Sequence, residues 1–294
     1  MSNKDAAVFL LFGQSNATGH ALPMSENEVI RDPLKNVFGL SRGENQSFHG
    51  KELIWSHYTS SGMNLAEQQD DTYSVANCLA AKWQKRIDAH AGSLPDLYIV
   101  HISVGAQGVS RGFMWNPQYD RKLIPGKLGT VDIALYPFAA HILSLLKSSF
   151  DHMGKNMKII GLHWRGGEDD MCVSLDLLSE SLEKTYETLF DGFTRSVGEP
   201  FPIILHKMVC DSRADSLDPS GAYKKSLSFV NSVFQKLAEK HENISVFNIE
   251  TIPGFNFDTP DHGVFMEDHV HYTEQVNKWV AEEILNAYAD SVRK

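Results

Sequence analysis

Short apolar runs alternate with one-sided amphipathic segments along this chain, and that alternation limits the possible folds more than any other feature. Each run is rich in Val, Ile, Leu or Phe, as strands covered on both faces tend to be. The runs span residues 6–12, 97–104, 157–164, 202–209 and 244–249, and residues 36–40 form a weaker sixth. We expect each of them to be a buried β-strand.

The segments between these runs carry apolar residues at helical spacing on one face only. The predicted helices cover residues 73–91, 131–146, 175–193, 222–241 and 274–291. A helix of this kind must pack its apolar stripe against another element. Repeated strand–helix units therefore predict a parallel sheet with helices on both faces, a three-layer α/β/α sandwich. No repeat or linker rich in glycine, proline and serine divides the chain, so we expect residues 1–294 to form one domain.

Composition and charge exclude several function classes. Hydrophobic residues make up 42% and charged residues 22%, which is typical of a folded globular protein. No apolar run reaches the roughly 18–20 residues needed to cross a bilayer. Asp and Glu number 37 against 27 Lys and Arg, giving a formal net charge of -10 without a basic stripe. We therefore expect neither nucleic acid nor a membrane as partner.

The cysteines and the N-terminus bear on the cellular compartment. Cys78, Cys172 and Cys210 lie far apart and form no CxxC pair, so we expect reduced thiols rather than disulfides or zinc thiolates. The chain begins Met-Ser-Asn-Lys-Asp and enters the first strand at once, without the pattern of a secretory signal. This predicts a cytoplasmic protein, or a secreted one whose leader has been removed.

Functional residues are expected directly after the strands, because ligands of parallel α/β sheets bind at the carboxyl ends of the strands. The first strand is followed by Gly-Gln-Ser-Asn at residues 13–16. A serine on such a turn is placed to be an exposed nucleophile, or it caps a helix. A phosphate-binding loop would need GxGxxG or a Gly-Lys-Ser/Thr ending, and neither is present. The second strong strand is followed by glycines at 105 and 108, which let backbone N–H groups approach a ligand as an oxyanion hole requires.

Acidic residues follow the third of the strong strands and precede the last helix. Glu168, Asp169 and Asp170 come after a glycine pair, either as a solvated turn or as part of a site. Asp268 and His271 lie three residues apart, so one loop can present an imidazole and the carboxylate that orients it.

A metal site is the alternative interpretation of the C-terminal loop. His269 and His271 can share a face of an extended segment, with Asp261 or His262 nearby. No other cluster supplies ligands at a convincing spacing, so the sequence predicts neither a metal nor an organic cofactor.

The chain order of these segments, with a serine near residue 15 and an Asp–His pair near the C-terminus, resembles the SGNH hydrolase superfamily. It looks most like the branch that contains sialate O-acetylesterase-like proteins and carbohydrate esterase family six. The matching stretches are residues 12–16, the Gly108 turn, residues 164–170 and Asp268-x-x-His271. The resemblance implies the flavodoxin-like SGNH fold and an esterase that needs no cofactor.

The resemblance also implies a role for each matching residue. Ser15 would be the nucleophile, His271 its general base and Asp268 the acid that orients the imidazole, with Glu168 as the alternative acid. The backbone N–H groups of Ser15 and Gly108 would form the oxyanion hole.

One position departs from the pattern of the family. The family usually has Gln two residues after the Trp, where its amide completes the oxyanion hole, and this chain has Gly166 there. Gln14, Asn16, Gln107 and Arg165 are the groups that could substitute, and we expect the same four to bind substrate.

The predicted function is removal of O-acetyl groups from a carbohydrate, sialic acid or another acetylated sugar, through an acetyl-Ser15 intermediate. The partner would then be a small acetylated carbohydrate or glycan. Two alternatives stay open. One is a non-catalytic carbohydrate-binding relative with an incomplete oxyanion hole, and the other is acetyl transfer between sugars.

Overall fold

The structure is a computed structural model that describes residues 4–46, 50–66, 70–90, 94–119, 134–209, 221–252, 268 and 270–292. The strands are β1 (Asp5–Gly13), β2 (Val37–Leu40), β3 (Trp55–His57), β4 (Asp96–Ser103), β5 (Asn156–Arg165), β6 (Ile203–His206) and β7 (Ile244–Phe247). They form one sheet in the order β3-β2-β4-β1-β5-β6-β7. All neighbours are parallel except β2 and β3. The predicted α/β class with a largely parallel central sheet is confirmed.

The helices cover both faces of this sheet. They are α1 (Ser15–Thr18), α2 (Arg42–Asn45), α3 (Val75–Ala89), α4 (Leu135–His152), α5 (Leu175–Val197), α6 (Ala222–Lys240) and α7 (Glu274–Ser291). Helices α4, α5 and α6 pack on one face and α3 and α7 on the other, giving two separate hydrophobic cores. This is the predicted three-layer sandwich. No helix in the described ranges is long and apolar enough to cross a membrane.

Strand β1 supplies both cores because its side chains alternate between the two faces of the sheet. Val8, Leu10 and Phe12 enter the core of α4–α6, while Phe9 and Leu11 enter the core of α3 and α7. Such a strand has no polar face, which is why its sequence is a continuous apolar run.

The end of β1 lies very close to the end of β5. Gly13 has φ +142, and a Cβ built there would lie 2.0 Å from the carbonyl oxygen of Arg165. Glycine is therefore required at the point where the chain leaves the sheet. The N–H of Gln14 then donates to the same Arg165 carbonyl at 2.9 Å, which fixes the turn that leads into α1.

The strong strand predictions and the weaker one at residues 36–40 are confirmed, whereas β3 is missing from the sequence prediction. Its three residues, Trp-Ser-His, carry too little apolar signal to predict a strand, and they form one by antiparallel pairing with β2. Helix α4 begins at Leu135 and continues to His152, beyond the predicted end. Cys78 is a buried free thiol and Cys172 an exposed one, while Cys210 lies outside the described residues.

Candidate functional site

A cavity of about 410 Å³ lies where the loops after β1, β4 and β5 meet the loop before α7. Its described wall contains Gln14, Ser15, His20, Gly105, Ala106, Glu168, Asp169, Cys172, Tyr223, Val270 and His271. Segments far apart in sequence thus converge at the carboxyl edge of the sheet, as expected for a parallel α/β protein.

Ser15 lines this cavity as the first residue of α1. Its carbonyl accepts hydrogen bonds from Thr18 Oγ1 at 2.7 Å and from the N–H of His20 at 3.1 Å, which hold the turn. The N-cap position is occupied by Gln14, so the Ser15 hydroxyl does not cap the helix. Its Oγ donates no hydrogen bond to any described residue, which leaves the hydroxyl available to a ligand.

His271 and Asp268 form an ion-pair-like contact at the same cavity. Asp268 Oδ2 lies 2.7 Å from His271 Nδ1, and Asp268 Oδ1 accepts the N–H groups of Val270 and His271, each at 2.9 Å. Partial burial alone would raise the pKa of Asp268, but the hydrogen bonds from His271 and Val270 outweigh it and hold the pKa below its ordinary value. The ionised carboxylate keeps the proton on Nδ1 and leaves Nε2 to act as a base.

No hydrogen bond within the described part of the chain joins Ser15 Oγ to His271, although both side chains line the cavity. Such contacts are often long before substrate binds and shorten in the reactive complex. The imidazole is mostly enclosed, with 17% of its side chain exposed, while 47% of the Asp268 side chain is exposed.

Glu168, the alternative acid, lies on the cavity wall, and within the described part of the chain it forms no hydrogen bond with the imidazole. Its Oε1 accepts the Asn16 amide at 2.7 Å, and its Oε2 is buried without a hydrogen-bond partner among the described residues. Of the two predicted acids, Asp268 is therefore the one that holds His271.

Asn16 connects two of the loops that form the site. Its amide Nδ2 donates to Glu168 Oε1 and, at 3.2 Å, to the carbonyl of Val270, while its Oδ1 accepts the N–H of Tyr272 at 3.1 Å. The amide is committed to protein groups and lies outside the described cavity wall, so the geometry gives it a positioning role, and its contact with substrate stays a prediction. Asn16 fixes the backbone on both sides of His271.

Gln14 lines the cavity, but its amide is also committed. Nε2 donates to Asp169 Oδ2 at 2.6 Å, and Oε1 accepts the N–H of Gly167 at 3.1 Å. The side chain thus holds the acidic loop against the end of β1, and its predicted contact with substrate stays a prediction.

Gln107 and Arg165 do not belong to the described cavity wall. Gln107 Oε1 accepts the N–H of Met114 at 3.0 Å. Arg165 is only 2% exposed, donates to Asn277 Oδ1 at 2.6 Å and lies 5.2 Å from the Tyr272 ring centroid. Both side chains contact other loops behind the site, and their assignment to substrate binding stays a prediction.

Asp170 shapes the turn that was predicted to supply the oxyanion hole. This fully buried carboxylate accepts the N–H groups of Val109 and Ser110, the Ser110 hydroxyl and the Tyr186 hydroxyl. A Cβ at Gly108 would lie 2.5 Å from Asp170 Oδ1, so only glycine permits this approach. The sequence placed Asp170 in an acidic run but gave no sign of this scaffolding role.

The cavity side of the same turn is formed by Gly105 and Ala106. Ala106 has φ 56, a left-handed conformation that alanine seldom adopts and that marks local strain beside the site. Gly108 is buried behind this wall. Its N–H as an oxyanion donor, like that of Ser15, stays a prediction.

Gly166 provides no side chain at the position of the expected amide, and its surroundings do not favour one. A Cβ there would lie 3.3 Å from Trp164 Nε1, on the side of the buried indole. The left-handed residue of this glycine pair is Gly167, at φ +132. A side chain at Gly166 would begin against the core rather than in the cavity.

The wall residue His20 was missed by the sequence analysis, and Asp169 was named there only as part of the acidic run. The His20 ring packs on the His271 ring, with centroids 4.8 Å apart and planes at 38°. Asp169 has its pKa raised to about 6, mainly by burial and further by the charges of Glu168 and Asp170. The only signal for His20 was its place soon after Ser15, at the end of the same short helix.

The metal alternative depends on His269, Asp261 and His262, which lie outside the described residues. Within the described ranges, no cluster of three or more His, Cys, Asp or Glu side chains could hold a metal ion.

Known structures share this fold at low sequence identity. NanS is 15% identical, with a TM-score of 0.60 and coverage of 99% of this chain and 99% of that one. A protein from Arabidopsis thaliana is 14% identical, with a TM-score of 0.55 and coverage of 97% and 98%. A carbohydrate acetylesterase from Xanthomonas citri is 14% identical at a TM-score of 0.45, too low to carry an argument, and the match covers 94% of this chain and 54% of that one.

No protein-family model matches the sequence, and no curated protein sequence matches it. Likeness at this identity shows the fold alone. The chain shares the α/β fold of NanS and of the Arabidopsis thaliana protein.

Proposed function

We propose that this protein is a serine esterase that releases acetate from an O-acetylated sugar. The observation that carries the proposal is the placement of Ser15 and of His271, whose Nδ1 contacts Asp268, on the wall of one cavity at the carboxyl edge of the sheet. Gln14, Glu168 and Asp169 place hydrogen-bonding groups on a wall that is otherwise mainly apolar. The resemblance of the motifs to carbohydrate acetylesterases points to the acetyl ester.

The first half of the reaction forms an acyl-enzyme. His271 Nε2 takes the proton from Ser15 Oγ as the oxygen attacks the ester carbonyl. The negative charge that develops on the carbonyl oxygen is stabilised by backbone N–H groups, for which Ser15 and Gly108 are the candidates. The ester bond breaks, His271 returns its proton to the leaving sugar oxygen, and acetyl-Ser15 remains.

The second half reverses these roles with water. His271 removes a proton from a water molecule, which attacks the acetyl carbonyl, and the proton then returns to Ser15 Oγ as acetate leaves. Asp268 keeps its charge throughout and stabilises the imidazolium form in both steps. Interception of acetyl-Ser15 by a second sugar, rather than by water, would give the transferase alternative.

A non-catalytic sugar-binding protein is the second candidate, and Gly166 favours it. The Asp268–His271 contact argues against it, because a binding protein has no use for an imidazole held in one tautomer. The two candidates make opposite predictions for turnover.

Acetate release tests the proposal directly. The wild type should hydrolyse 4-nitrophenyl acetate and an O-acetylated methyl glycoside, whereas Ser15→Ala and His271→Ala should both lose nearly all turnover, because members of a triad act as a unit. Ser232→Ala, at an exposed site on α6, is the matched control and should keep the wild-type rate. Unchanged turnover in Ser15→Ala would contradict the proposal.

A further inference from the structure

We propose that His20 is a positioning residue for the reaction. Its ring packs on the imidazole of His271 and limits how far that imidazole can turn away from Ser15. The inference rests on the proposed function, since it concerns the base that the esterase would use. It assigns the effect to the ring of His20 as a packing surface, and not to a hydrogen bond from its nitrogens.

The contact between the two rings is the first observation. The ring centroids of His20 and His271 lie 4.8 Å apart, with the planes at 38°. Ring pairs whose centroids are about 4.5–7 Å apart are in favourable packing contact. Both side chains line the cavity that Ser15 also lines. The His20 ring therefore packs against the proposed base at the wall of the site itself.

The imidazole of His271 needs a restraint besides Asp268. A histidine ring turns easily about its Cβ–Cγ bond, because this torsion has broad minima. Asp268 Oδ2 holds Nδ1 at 2.7 Å, but 47% of the Asp268 side chain is exposed, so the carboxylate is not enclosed itself. Within the described part of the chain, no hydrogen bond joins the imidazole to Ser15 Oγ. A packed neighbour is then what restricts the ring in the free enzyme.

The turn that carries His20 also carries Ser15. The N–H of His20 donates to the carbonyl of Ser15 at 3.1 Å. Gly19, between α1 and His20, is left-handed at φ 76, and a Cβ there would lie 2.6 Å from the backbone nitrogen of Ser74. Glycine is therefore required where the chain turns back after the helix. One short turn fixes both the nucleophile and the ring that packs on its base, so their positions are linked.

The nitrogens of His20 do not account for its place on the wall. Nδ1 is buried and has no hydrogen-bond partner, and Nε2 forms no hydrogen bond with any described residue. A buried polar atom without a partner is unfavourable, so polar contacts do not hold this side chain in place. Packing against His271 is the side-chain interaction that the described residues provide for it.

Phosphonylation of Ser15 by a small fluorophosphonate tests the inference. The probe carries no sugar, so its rate reports how well Ser15 is activated by its base rather than how well a substrate binds. His20→Ala should lower the second-order labelling rate by at least about tenfold, since misplacement of a reacting group by 1 Å can cost about 10²-fold. For 4-nitrophenyl acetate, kcat should fall by a similar factor, with KM within about twofold of the wild type and the melting temperature almost unchanged.

Two further variants separate the ring from its nitrogens. His20→Phe keeps a flat ring without nitrogens and should recover most of the labelling rate. His20→Gln keeps polar atoms without a ring and should be as slow as His20→Ala. The comparison of Phe with Gln holds even where the alanine variant does not fold. His152→Ala, at the exposed end of α4, is the matched control and should keep the wild-type rate.

Wild-type labelling in His20→Ala would overturn the inference. Labelling of His20→Phe that is no faster than that of His20→Gln would also overturn it, because a ring nitrogen or the overall shape of histidine would then be responsible. A wild type that does not release acetate in a Ser15-dependent way is a separate result, and it would contradict the proposed function itself.

Discussion

Two serine–histidine pairs among the described residues differ in their access to a ligand and in the partner of the histidine. In the first, on β4, Ser103 Oγ is 2.7 Å from His101 Nε2. Asn64 accepts the N–H of Ser103 and donates to its hydroxyl and carbonyl. Both members of this pair are buried, with Ser103 fully enclosed. In the second, Ser15 and His271 share a cavity without a direct hydrogen bond.

The difference shows that a short serine–histidine distance does not by itself make a nucleophile. Burial lowers the pKa of His101 to about 3 and outweighs the opposing effects of a backbone hydrogen bond at Ala17 and the charge of Asp70, so its ring is neutral. His271 has Asp268 on its other nitrogen and an open cavity before it. Access and a charged partner, rather than proximity, distinguish the two pairs.

Ser15→Ala and Ser103→Ala should have opposite effects on activity and stability, and the loss of activity in Ser15→Ala is the largest effect we expect. Ser15→Ala should lower acetate release by at least about 10³-fold, with the melting temperature almost unchanged. Ser103→Ala should keep activity but lose about 1–3 kcal/mol of unfolding free energy, because buried partners at His101 and Asn64 lose a hydrogen bond. Initial rates and urea unfolding of the two variants measure this, and activity loss in Ser103→Ala alone would reverse our assignment.

Asp268→Asn should come next in size. An amide in place of the carboxylate favours the wrong imidazole tautomer, so kcat should fall by up to about 10⁴-fold. Stability should change little because nearly half of the Asp268 side chain is exposed. Steady-state kinetics with the aryl acetate provides the measurement. A near-normal Asp268→Asn together with an inactive Glu168→Gln would move the role of the acid to Glu168.

Lowering the pH should reduce the free energy of unfolding, through the buried histidines, before it protonates Asp268. Burial holds the pKa of His101 and His163 at about 3, against roughly 6.5 in the unfolded chain. Between these values the unfolded state binds more protons, so unfolding free energy falls as the pH drops from about 6.5 toward about 3. His101→Gln should flatten this dependence in urea titrations across pH 4–7. An unchanged slope would show that His101 is not neutral in the fold.

Asp169→Asn should give the smallest effect. Its effect on stability should depend on pH in the opposite sense to that of the buried histidines. The folded-state pKa of about 6 lies above the ordinary value of 3.8, so this group lowers stability as the pH rises from about 4 through about 6. The variant should therefore melt at a higher temperature than the wild type at pH 7.5, with the difference vanishing near pH 4. Scanning calorimetry at both pH values is the measurement, and a difference that is constant with pH would exclude this cause.

Most of the fold could be predicted from the sequence because strands buried on both faces leave continuous apolar runs. Strand β3 could not, since three residues with little apolar character become a strand only through pairing with β2. The position of the site was also predictable. Parallel strands bring their carboxyl ends together, so Ser15 and His271 were expected to meet despite their separation along the chain.

Side-chain direction within the site could not be predicted in this way. Arg165 lies directly after Trp164 at a strand end, yet its guanidinium turns into the protein to meet Asn277. Asn16 follows Ser15 directly, yet its side chain fixes the loop of His271 and is not part of the described cavity wall. The direction of each side chain depends on which partners the other loops provide, and the residues next to it in the sequence do not specify those partners.

Covalent labelling tests the central claim most directly. Treatment of the wild type with a fluorophosphonate, followed by peptide mass spectrometry, should show one phosphonyl adduct at Ser15 and none at Ser103. The adduct should form more slowly in Asp268→Asn and should be absent in His271→Ala, in parallel with the loss of acetate release. Acetate release that continues without an adduct at Ser15, or an adduct at another serine that abolishes activity, would contradict the account.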